Sequence, residues 1–366
     1  LPFYAREFGA SATLLGLMLM CHAAAQFVFA PLWGRLSDRI GRRPVLLMTV
    51  AGTALSLLAL GLATSLPWIF AARVLGGAFA ANVSVASAYV ADVTAEDERT
   101  RWMGMLGASF GIGFLLGPAI GGALAPFGYH VPLIAAAGLA ALNGLHAAVS
   151  LQEPPRHAAT EEATRSRAAL LRDPLVRRLC TANLVFSIAV AQLEAVFAFY
   201  MIDRFGYDAQ HVAAILVGMA LLMGGVQGGG MKALARRYSE RGLAIAGASA
   251  LALALAALPA MPSVAWLLAP LALSALGRAV LQPSLLSMTS LAASRSERGA
   301  VMGVFQSSAS RARVVGPVVA GLLYDQIPAA PFWFASLLLV ATALLARTLP
   351  RRAAADGALA AVTVAR

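Results

Sequence analysis

The chain carries the stretch Gly34-Arg35-Leu36-Ser37-Asp38-Arg39-Ile40-Gly41-Arg42-Arg43-Pro44 between two long apolar runs. Asp38 stands among arginines and can form charged hydrogen bonds that lock one bundle of helices to its neighbour. Gly41 permits a tight reversal of the backbone, and Pro44 suits the first turn of a following helix. This pattern predicts a helix, a charged loop and a second helix. Alternatively, the arginines serve only as a topological anchor at the membrane surface.

Apolar runs of similar length recur along the whole chain. Of its 366 residues, 60% are hydrophobic and 12% charged, which is too little charge to cover a soluble domain of this size. About 20 apolar residues span a bilayer as a helix. The sequence therefore predicts an all-α membrane protein with eleven spans, at about 11–33, 45–64, 67–91, 101–125, 130–150, 178–202, 210–231, 242–261, 264–288, 299–323 and 331–349.

The basic residues between these runs alternate in position. Every second loop is rich in Lys and Arg, whereas the remaining loops contain little beyond Arg6 and Arg204. By the positive-inside rule, the basic loops and the C-terminus are cytoplasmic. This distribution accounts for the net charge of +11 without a nucleic-acid partner. The same orientation puts Leu1 outside, and we expect that a first helix is missing, with Leu1-Pro2-Phe3-Tyr4 as its outer end.

The two halves of the chain share features at a common spacing. Glu98-Arg99 and Gly117-Pro118 recur as Glu297-Arg298 and Gly316-Pro317. Duplicated halves that face each other across a central cavity are a known plan of transporters. The sequence therefore predicts an N-terminal bundle (1–151), a central cytoplasmic loop (152–177), a C-terminal bundle (178–350) and a cytoplasmic tail (351–366).

Several motifs resemble those of the major facilitator superfamily, in its drug:proton antiporter branch of tetracycline and multidrug exporters. The residues that match its signature cytoplasmic loop are Gly34, Asp38, Arg39, Gly41, Arg42 and Arg43, with Asp92 at the end of the third span. The residues that match its antiporter motif are Gly113, Gly117, Pro118, Gly121 and Gly122. Arg73 opens a third matching segment, Arg73-Val74-Leu75-Gly76-Gly77.

The resemblance covers nearly the whole chain and implies the major facilitator fold. In that fold, two six-helix bundles with pseudo-two-fold symmetry transport by alternating access, and eleven of the helices are present here. Three departures from the family pattern stand out. We expect the first helix to be missing, Arg236 stands where an acid would match Asp38, and the second Gly-Pro helix carries Arg311 and Arg313.

Charged residues inside the spans are candidates for function. An ionised side chain at the bilayer centre costs about 2.5–3.5 kcal/mol on insertion scales. Glu194 is the one acid well inside a predicted span, on a helical stripe with Asn183 and Ser187. We expect it to carry the coupled proton, the alternative being a static partner of a buried arginine. The candidate partners inside the spans are Arg73, Arg278, Arg311 and Arg313.

Uncharged polar residues inside the spans are candidates to line a cavity. His22 and Gln26 share one face of the first span, Asn143 and His146 share a face of the fifth, and Gln282 follows the stripe of Arg278. Such side chains can bind a substrate or relay a proton. Interhelical hydrogen bonding is the alternative.

The sequence contains no P-loop, no HExxH motif and no cysteine cluster typical of zinc, so we expect no cofactor, no metal and no enzymatic activity. The leading hypothesis is a proton-coupled efflux antiporter for small apolar compounds or drugs, tetracycline-like or multidrug. Its partners are the small-molecule substrate, protons and the lipid bilayer, and we expect a monomer in the bacterial inner membrane. The alternatives are a metabolite symporter or facilitator of the same fold, and an inactive, non-transporting membrane protein.

Overall fold

The computed structural model describes residues 1–80, 82–94, 98–154, 167–294 and 297–350, and within these ranges every regular element is helical. The helices before residue 160 are α1 (Pro2–Glu7), α2 (Ala12–Ile40), α3 (Arg42–Gly61), α4 (Leu66–Phe79), α5 (Asn82–Val93), α6 (Arg99–Leu124) and α7 (Val131–Ser150). Those that follow are α8 (Arg167–Leu170), α9 (Pro174–Phe205), α10 (Ala209–Gly225), α11 (Met231–Arg237), α12 (Glu240–Ala257), α13 (Val264–Leu291), α14 (Arg298–Gln326) and α15 (Ala330–Arg347).

The predicted spans correspond to these helices. Within the described ranges, ten helical stretches are long and apolar enough to cross a membrane. The span predicted at 299–323 is helical as α14 but does not reach the same hydropathy, and it contains Arg311 and Arg313. The predicted all-α membrane fold is therefore confirmed. The predicted central loop and tail include 155–166 and 351–366, which lie outside the described residues, and the division into bundles stays a prediction.

Helix bounds differ from the predicted ones at several spans. The span predicted at 67–91 consists of two helices, α4 and α5, and α9 is longer at both ends than the span predicted at 178–202. α2 does not end at residue 33 but continues to Ile40, so the quoted stretch is helix up to Gly41, where φ is +112°. The span was predicted to end at residue 33 because the charged residues that follow lower the local hydropathy. They do not break the helix, since a helix can extend beyond the apolar layer of the membrane. The span predicted at 210–231 runs on through a π-helical segment, Val226–Gly230, to the end of α11.

The described residues form two compact units. The first comprises residues of Leu1–Thr160, Ala195–Gly218 and Pro317–Asp325. In this unit, α2 packs on α4, and α3 packs on α7 and α4. The second comprises residues of Glu161–Glu194, Met219–Gly316 and Gln326–Arg366, and in it α12 packs closely on α13 and α15. Each unit has its own buried apolar side chains, such as Met18 and Ile69 in the first, and Leu255 and Leu271 in the second.

A group of carboxylates in the first unit fastens the start of α2. Asp325 accepts hydrogen bonds from the backbone N–H groups of Ala12 (3.1 Å) and Thr13 (2.9 Å), which would otherwise have no partner in the first turn of a helix. Asp203 accepts from Arg6 (2.5 Å) and from the hydroxyl of Tyr324 (2.8 Å). We call Arg6, Asp203, Tyr324 and Asp325 the carboxylate cluster. It ties α1, α2, α9 and α14 together in this unit.

Candidate functional site

Glu194 in α9 pairs with Arg278 in α13. The Oε1 atom of Glu194 accepts a hydrogen bond from Nη1 of Arg278 at 2.6 Å. The Glu194 side chain is 50% exposed and that of Arg278 is 26% exposed. The carboxylate of Glu194 is therefore not enclosed by neighbouring side chains. An ion pair inside a span compensates two charges that would each be costly alone. Of the four arginines that the sequence offered as partners of Glu194, the structure pairs it with Arg278.

Two polar side chains of α9 make the interhelical contacts of its buried face. The amide nitrogen of Asn183 donates to the carbonyl oxygen of Phe305 and to the hydroxyl of Ser308, both at 2.9 Å. Gln192 is fully buried and donates to the carbonyl of Gly316 at 3.0 Å. These bonds join α9 to α14, whereas Glu194 is exposed. Gln192 was not predicted from the sequence, although its position in an apolar run marks it as a polar group that needs a partner.

Arg42 is the centre of the charged group at the junction of α2 and α3. Its Nη1 donates to Asp38 (2.6 Å) and to the hydroxyl of Ser37 (2.6 Å), and its Nε donates to Asp92 (2.8 Å). The side chain of Asp92 is 30% exposed, against 62% for Asp38. One guanidinium therefore joins the end of α2 to the end of α5. Arg39 is exposed.

Glu153, which was not predicted from the sequence, completes this group. Its two carboxylate oxygens accept from the backbone N–H groups of Arg42 (2.6 Å) and Arg43 (3.0 Å), at the first turn of α3. Negative charge is stabilised at that end of a helix. The Arg43 guanidinium donates to the carbonyl of Ala148 at 2.7 Å. The available signal was an acid directly after the fifth predicted span.

A cavity of about 170 Å³ lies between α2, α3 and α4 in the first unit. Its polar lining residues are His22, Thr53, Ser56 and Arg73. Its remaining lining residues are small or aliphatic: Leu57, Leu60, Ala72, Gly76 and Ala80. The Nδ1 atom of His22 lies 3.1 Å from the carbonyl oxygen of Arg73. Because that oxygen can only accept, Nδ1 carries the proton and donates to it.

The other predicted lining residues lie elsewhere. Gln26 donates to the carbonyl of Ala80 at 2.9 Å, an interhelical bond between α2 and the end of α4. Asn143 and His146 are exposed on α7, and Gln282 is exposed on α13. Their role in a cavity stays a prediction. In α14, Arg311 and Arg313 are exposed, and Arg313 donates to the hydroxyl of Ser310 at 3.2 Å.

The glycines of the predicted antiporter motif differ in their surroundings. A Cβ added at Gly122 would meet the Cβ of Ala213 at a distance no side chain tolerates, so α6 and α10 approach closely there. Gly113, Gly117 and Gly121 have no neighbouring atom within 4 Å of such a Cβ. Pro118 lies inside the continuous helix α6. Close helix packing at this motif is thus seen at one of its four glycines.

Among the described residues, no three His, Cys, Asp or Glu side chains are grouped as a metal site would need. The sites described above present carboxylates, guanidinium groups and an imidazole.

Known proteins resemble this chain over most of its length. The family model described as Major Facilitator Superfamily matches residues 1–259 and 230–363. The tetracycline resistance protein, class D, of Salmonella ordonez is 35% identical over 340 residues, 89% of this chain and 84% of that protein. Multidrug resistance protein 1 of Bacillus subtilis (strain 168) is 27% identical over 345 residues, 92% of this chain and 87% of that protein.

A solved structure is also similar. The crystal structure of the human organic anion transporter MFSD10 (TETRAN) aligns with a TM-score of 0.66 and 29% identity. The alignment covers 90% of this chain and 83% of that one.

Proposed function

The chain belongs to the major facilitator superfamily, and on that premise we propose that it exports small apolar compounds or drugs in exchange for protons. Members of this family are transporters, so the chain is a transporter and not an enzyme. The names of the relatives, tetracycline resistance protein and multidrug resistance protein, support drug export. We place it in the bacterial inner membrane as a multi-pass monomer with a cytoplasmic C-terminus, which its basic loops favour.

The ion pair of Glu194 and Arg278 carries the proposal of proton coupling. Glu194 lies inside the span α9, away from its ends, and its side chain is half exposed. A proton that arrives on Glu194 removes the charge that holds Arg278 at 2.6 Å. The guanidinium would then be an uncompensated charge and would favour a conformation in which another group or water solvates it. Protonation thus shifts the equilibrium between two states by its different free energy in each.

The Arg42 group supports the second part of the proposal, alternating access. In it, Arg42 links α2, α3 and α5 through Asp38, Asp92 and Glu153. Such a network has a defined geometry because each charge has its partner. In our proposal these bonds favour one of the two states and are exchanged when the transporter adopts the other.

Transport by purified protein in vesicles tests coupling. An imposed pH gradient should drive movement of tetracycline, and Glu194→Gln should reduce this flux to that of empty vesicles. Arg278→Gln should also impair it, since the pair is broken from the other side. Glu7→Gln is the matched control, because Glu7 is an exposed acid at the end of α1. Full pH-driven flux in Glu194→Gln would show a static ion pair instead.

The direction of flux separates export from the alternative of a metabolite symporter or facilitator. The surplus of arginines over acids inside the spans is the observation that favours this alternative. An antiporter accumulates drug on the side with the higher proton concentration. Accumulation on the opposite side, together with the protons, would identify a symporter. Movement that no pH gradient affects would identify a facilitator.

A further inference from the structure

Two exposed arginines of the second unit lie at the end of α15. The guanidinium of Arg178, in the first turns of α9, donates from Nη1 to the carbonyl oxygen of Thr348 at 3.3 Å. Thr348 is the C-cap of α15, and Arg347 precedes it in the last turn of that helix. Both arginine side chains are exposed. One helix end therefore presents two positive charges to its surroundings.

The acid closest to Arg178 in sequence is engaged at the start of α9. The Oδ1 atom of Asp173 accepts from the backbone N–H groups of Leu175 at 2.7 Å and Val176 at 3.4 Å. Arg177, the neighbour of Arg178, is also exposed, so the arginines of this region outnumber that carboxylate. The planar N–H groups of arginine match the oxygen atoms of a phosphate. A phosphate group is therefore a suitable partner.

An apolar strip of surface leads along α15 to Arg347. Leu337, Val340 and Leu344 are each roughly half exposed or more. At about 100° per residue, they lie with Arg347 within about 80° of arc around the helix. On the other side, Leu339 is fully buried, and α15 packs on α12. We call Leu337, Val340 and Leu344 the α15 stripe.

The length of the α15 stripe matches one leaflet of a bilayer. At a rise of 1.5 Å per residue, Leu337 lies about 15 Å from Arg347 along the helix axis. The hydrocarbon core of a bilayer is about 30 Å thick, so that each leaflet contributes about 15 Å. A phospholipid with its head group at Arg347 can therefore lay an acyl chain along the whole stripe.

We propose that Arg178 and Arg347 bind the phosphate of an anionic phospholipid, phosphatidylglycerol, whose acyl chain lies on the α15 stripe. A zwitterionic lipid carries its own cation beside the phosphate, so it gains less from the two arginines. The alternative is that Arg178 only caps α15, as basic side chains do at the ends of helices. A cap does not require an apolar stripe that ends at a second arginine.

Native mass spectrometry of the purified chain in detergent tests the site. Phosphatidylglycerol is the probe, and phosphatidylcholine with the same acyl chains is the matched lipid. We expect phosphatidylglycerol to bind at least about fivefold more tightly, because each arginine near an anionic lipid contributes about that factor. The site goes beyond the proposed drug export, and binding is measured without transport. Failure of either proposal therefore leaves the other intact.

Two variants locate the binding at the end of α15. Arg178→Gln and Arg347→Gln should each weaken binding of phosphatidylglycerol about fivefold. Arg178→Lys keeps the positive charge and should retain most of the affinity.

Arg298→Gln is the matched control and should leave binding unchanged. Arg298 is also exposed, and its Nε donates to a carbonyl near the end of a helix, that of Ser290 in α13, at 3.2 Å. The exposed side chains of Leu286 and Leu291 near that end lie about 140° apart around the helix. They do not form a stripe that an acyl chain could follow.

The outcomes are distinct. Equal affinity for the two lipids, unchanged affinity in Arg347→Gln, or an equal loss in Arg298→Gln would overturn the proposal. Displacement of phosphatidylglycerol by excess inorganic phosphate would show a plain anion site and would overturn it too. A lower melting temperature in Arg178→Gln with unchanged lipid preference would show a helix cap only. If Arg178→Gln does not fold, Arg347→Gln and the lipid comparison still decide.

Discussion

Gly41 shows how much one residue determines at the junction of α2 and α3. Its φ of +112° and ψ of +157° lie in a region that is essentially restricted to glycine. A Cβ there would stand 2.6 Å from Oε1 of Glu153, the carboxylate that receives the first N–H groups of α3. Both the backbone and the space around it therefore require glycine.

Gly41→Ala should lower the free energy of unfolding by about 1–3 kcal/mol, the cost of a strained backbone conformation. Gly34→Ala is the matched control, because Gly34 lies in helical α2 with nothing within 4 Å. Alanine favours a helix over glycine by about 1 kcal/mol, so this variant should be neutral or more stable. Thermal denaturation in detergent measures both. Equal loss in the two variants would contradict the assigned role of Gly41.

At the scale of elements, Asp208 caps the start of α10. Its Oδ1 accepts from the backbone N–H of His211 at 3.0 Å and lies 2.7 Å from the His211 ring. Hydrogen bonds, first that of the His211 backbone N–H, lower the pKa of Asp208 below its usual range. Its side chain is 52% exposed, so solvent screens the charge and the cap itself is the larger contribution.

Asp208→Ala should lower the free energy of unfolding by about 1 kcal/mol at neutral pH, the usual loss for a missing N-cap. A lowered pKa means that the contribution of the charge is present above the unfolded-state pKa and is lost as pH falls through the folded one. The difference from the unaltered protein should therefore shrink from about pH 7 to about pH 3. Asp208→Asn, which can still cap, should show little loss. Thermal denaturation across pH checks both variants.

α12 and α13 touch through a pair of glycines. A Cβ at Gly247 would stand 2.8 Å from the carbonyl oxygen of Gly277, and a Cβ at Gly277 would stand 2.8 Å from that of Gly247. Backbones that approach this closely in a membrane are stabilised by packing between small residues. Since the neighbouring atoms are backbone, they cannot rotate away from an added side chain.

Gly277→Val should therefore separate the two helices and destabilise the protein by about 1–3 kcal/mol, as expected for overpacking. Gly303→Val in α14 is the control, because Gly303 is exposed and has nothing within 4 Å. The melting temperature in detergent should fall clearly in the first variant and little in the second. Similar melting temperatures for the two would show that α12 and α13 can part without cost.

For the whole molecule, hydropathy and loop charge predicted the helical membrane fold, since both are properties of one segment at a time. They did not predict which side chains form ion pairs or hydrogen bonds with residues far away in the sequence. Glu194 stood out as an acid in an apolar run, but its partner Arg278 is 84 residues away, and several arginines were equally available. Glu153 was missed for the same reason. Its role depends on the return of α7 to the start of α3, a contact that no local pattern encodes.

The carboxylate cluster gives a prediction at this scale. Asp325 protects the N–H groups of Ala12 and Thr13, which lie more than 300 residues away in sequence. Asp325→Ala should speed hydrogen–deuterium exchange at these two amides, measured by mass spectrometry of the peptide around α2's start. Asp173→Ala removes a comparable cap at Leu175 and should leave the α2 amides unchanged. Unaltered exchange in Asp325→Ala would show that other contacts hold this end of α2.

The polarity of the carboxylate cluster has a consequence for reversibility. When two aliphatic surfaces separate, exposing hydrocarbon to water costs roughly 25 cal/mol for each Å². This cost grows as the gap widens. Where carboxylates release amides, a guanidinium and a phenol, water replaces each partner in turn, and the net change is about 1.5–3 kcal/mol for each hydrogen bond to a charged group. In the transport cycle that we propose, contacts of this kind can therefore break and form again without exposing apolar surface.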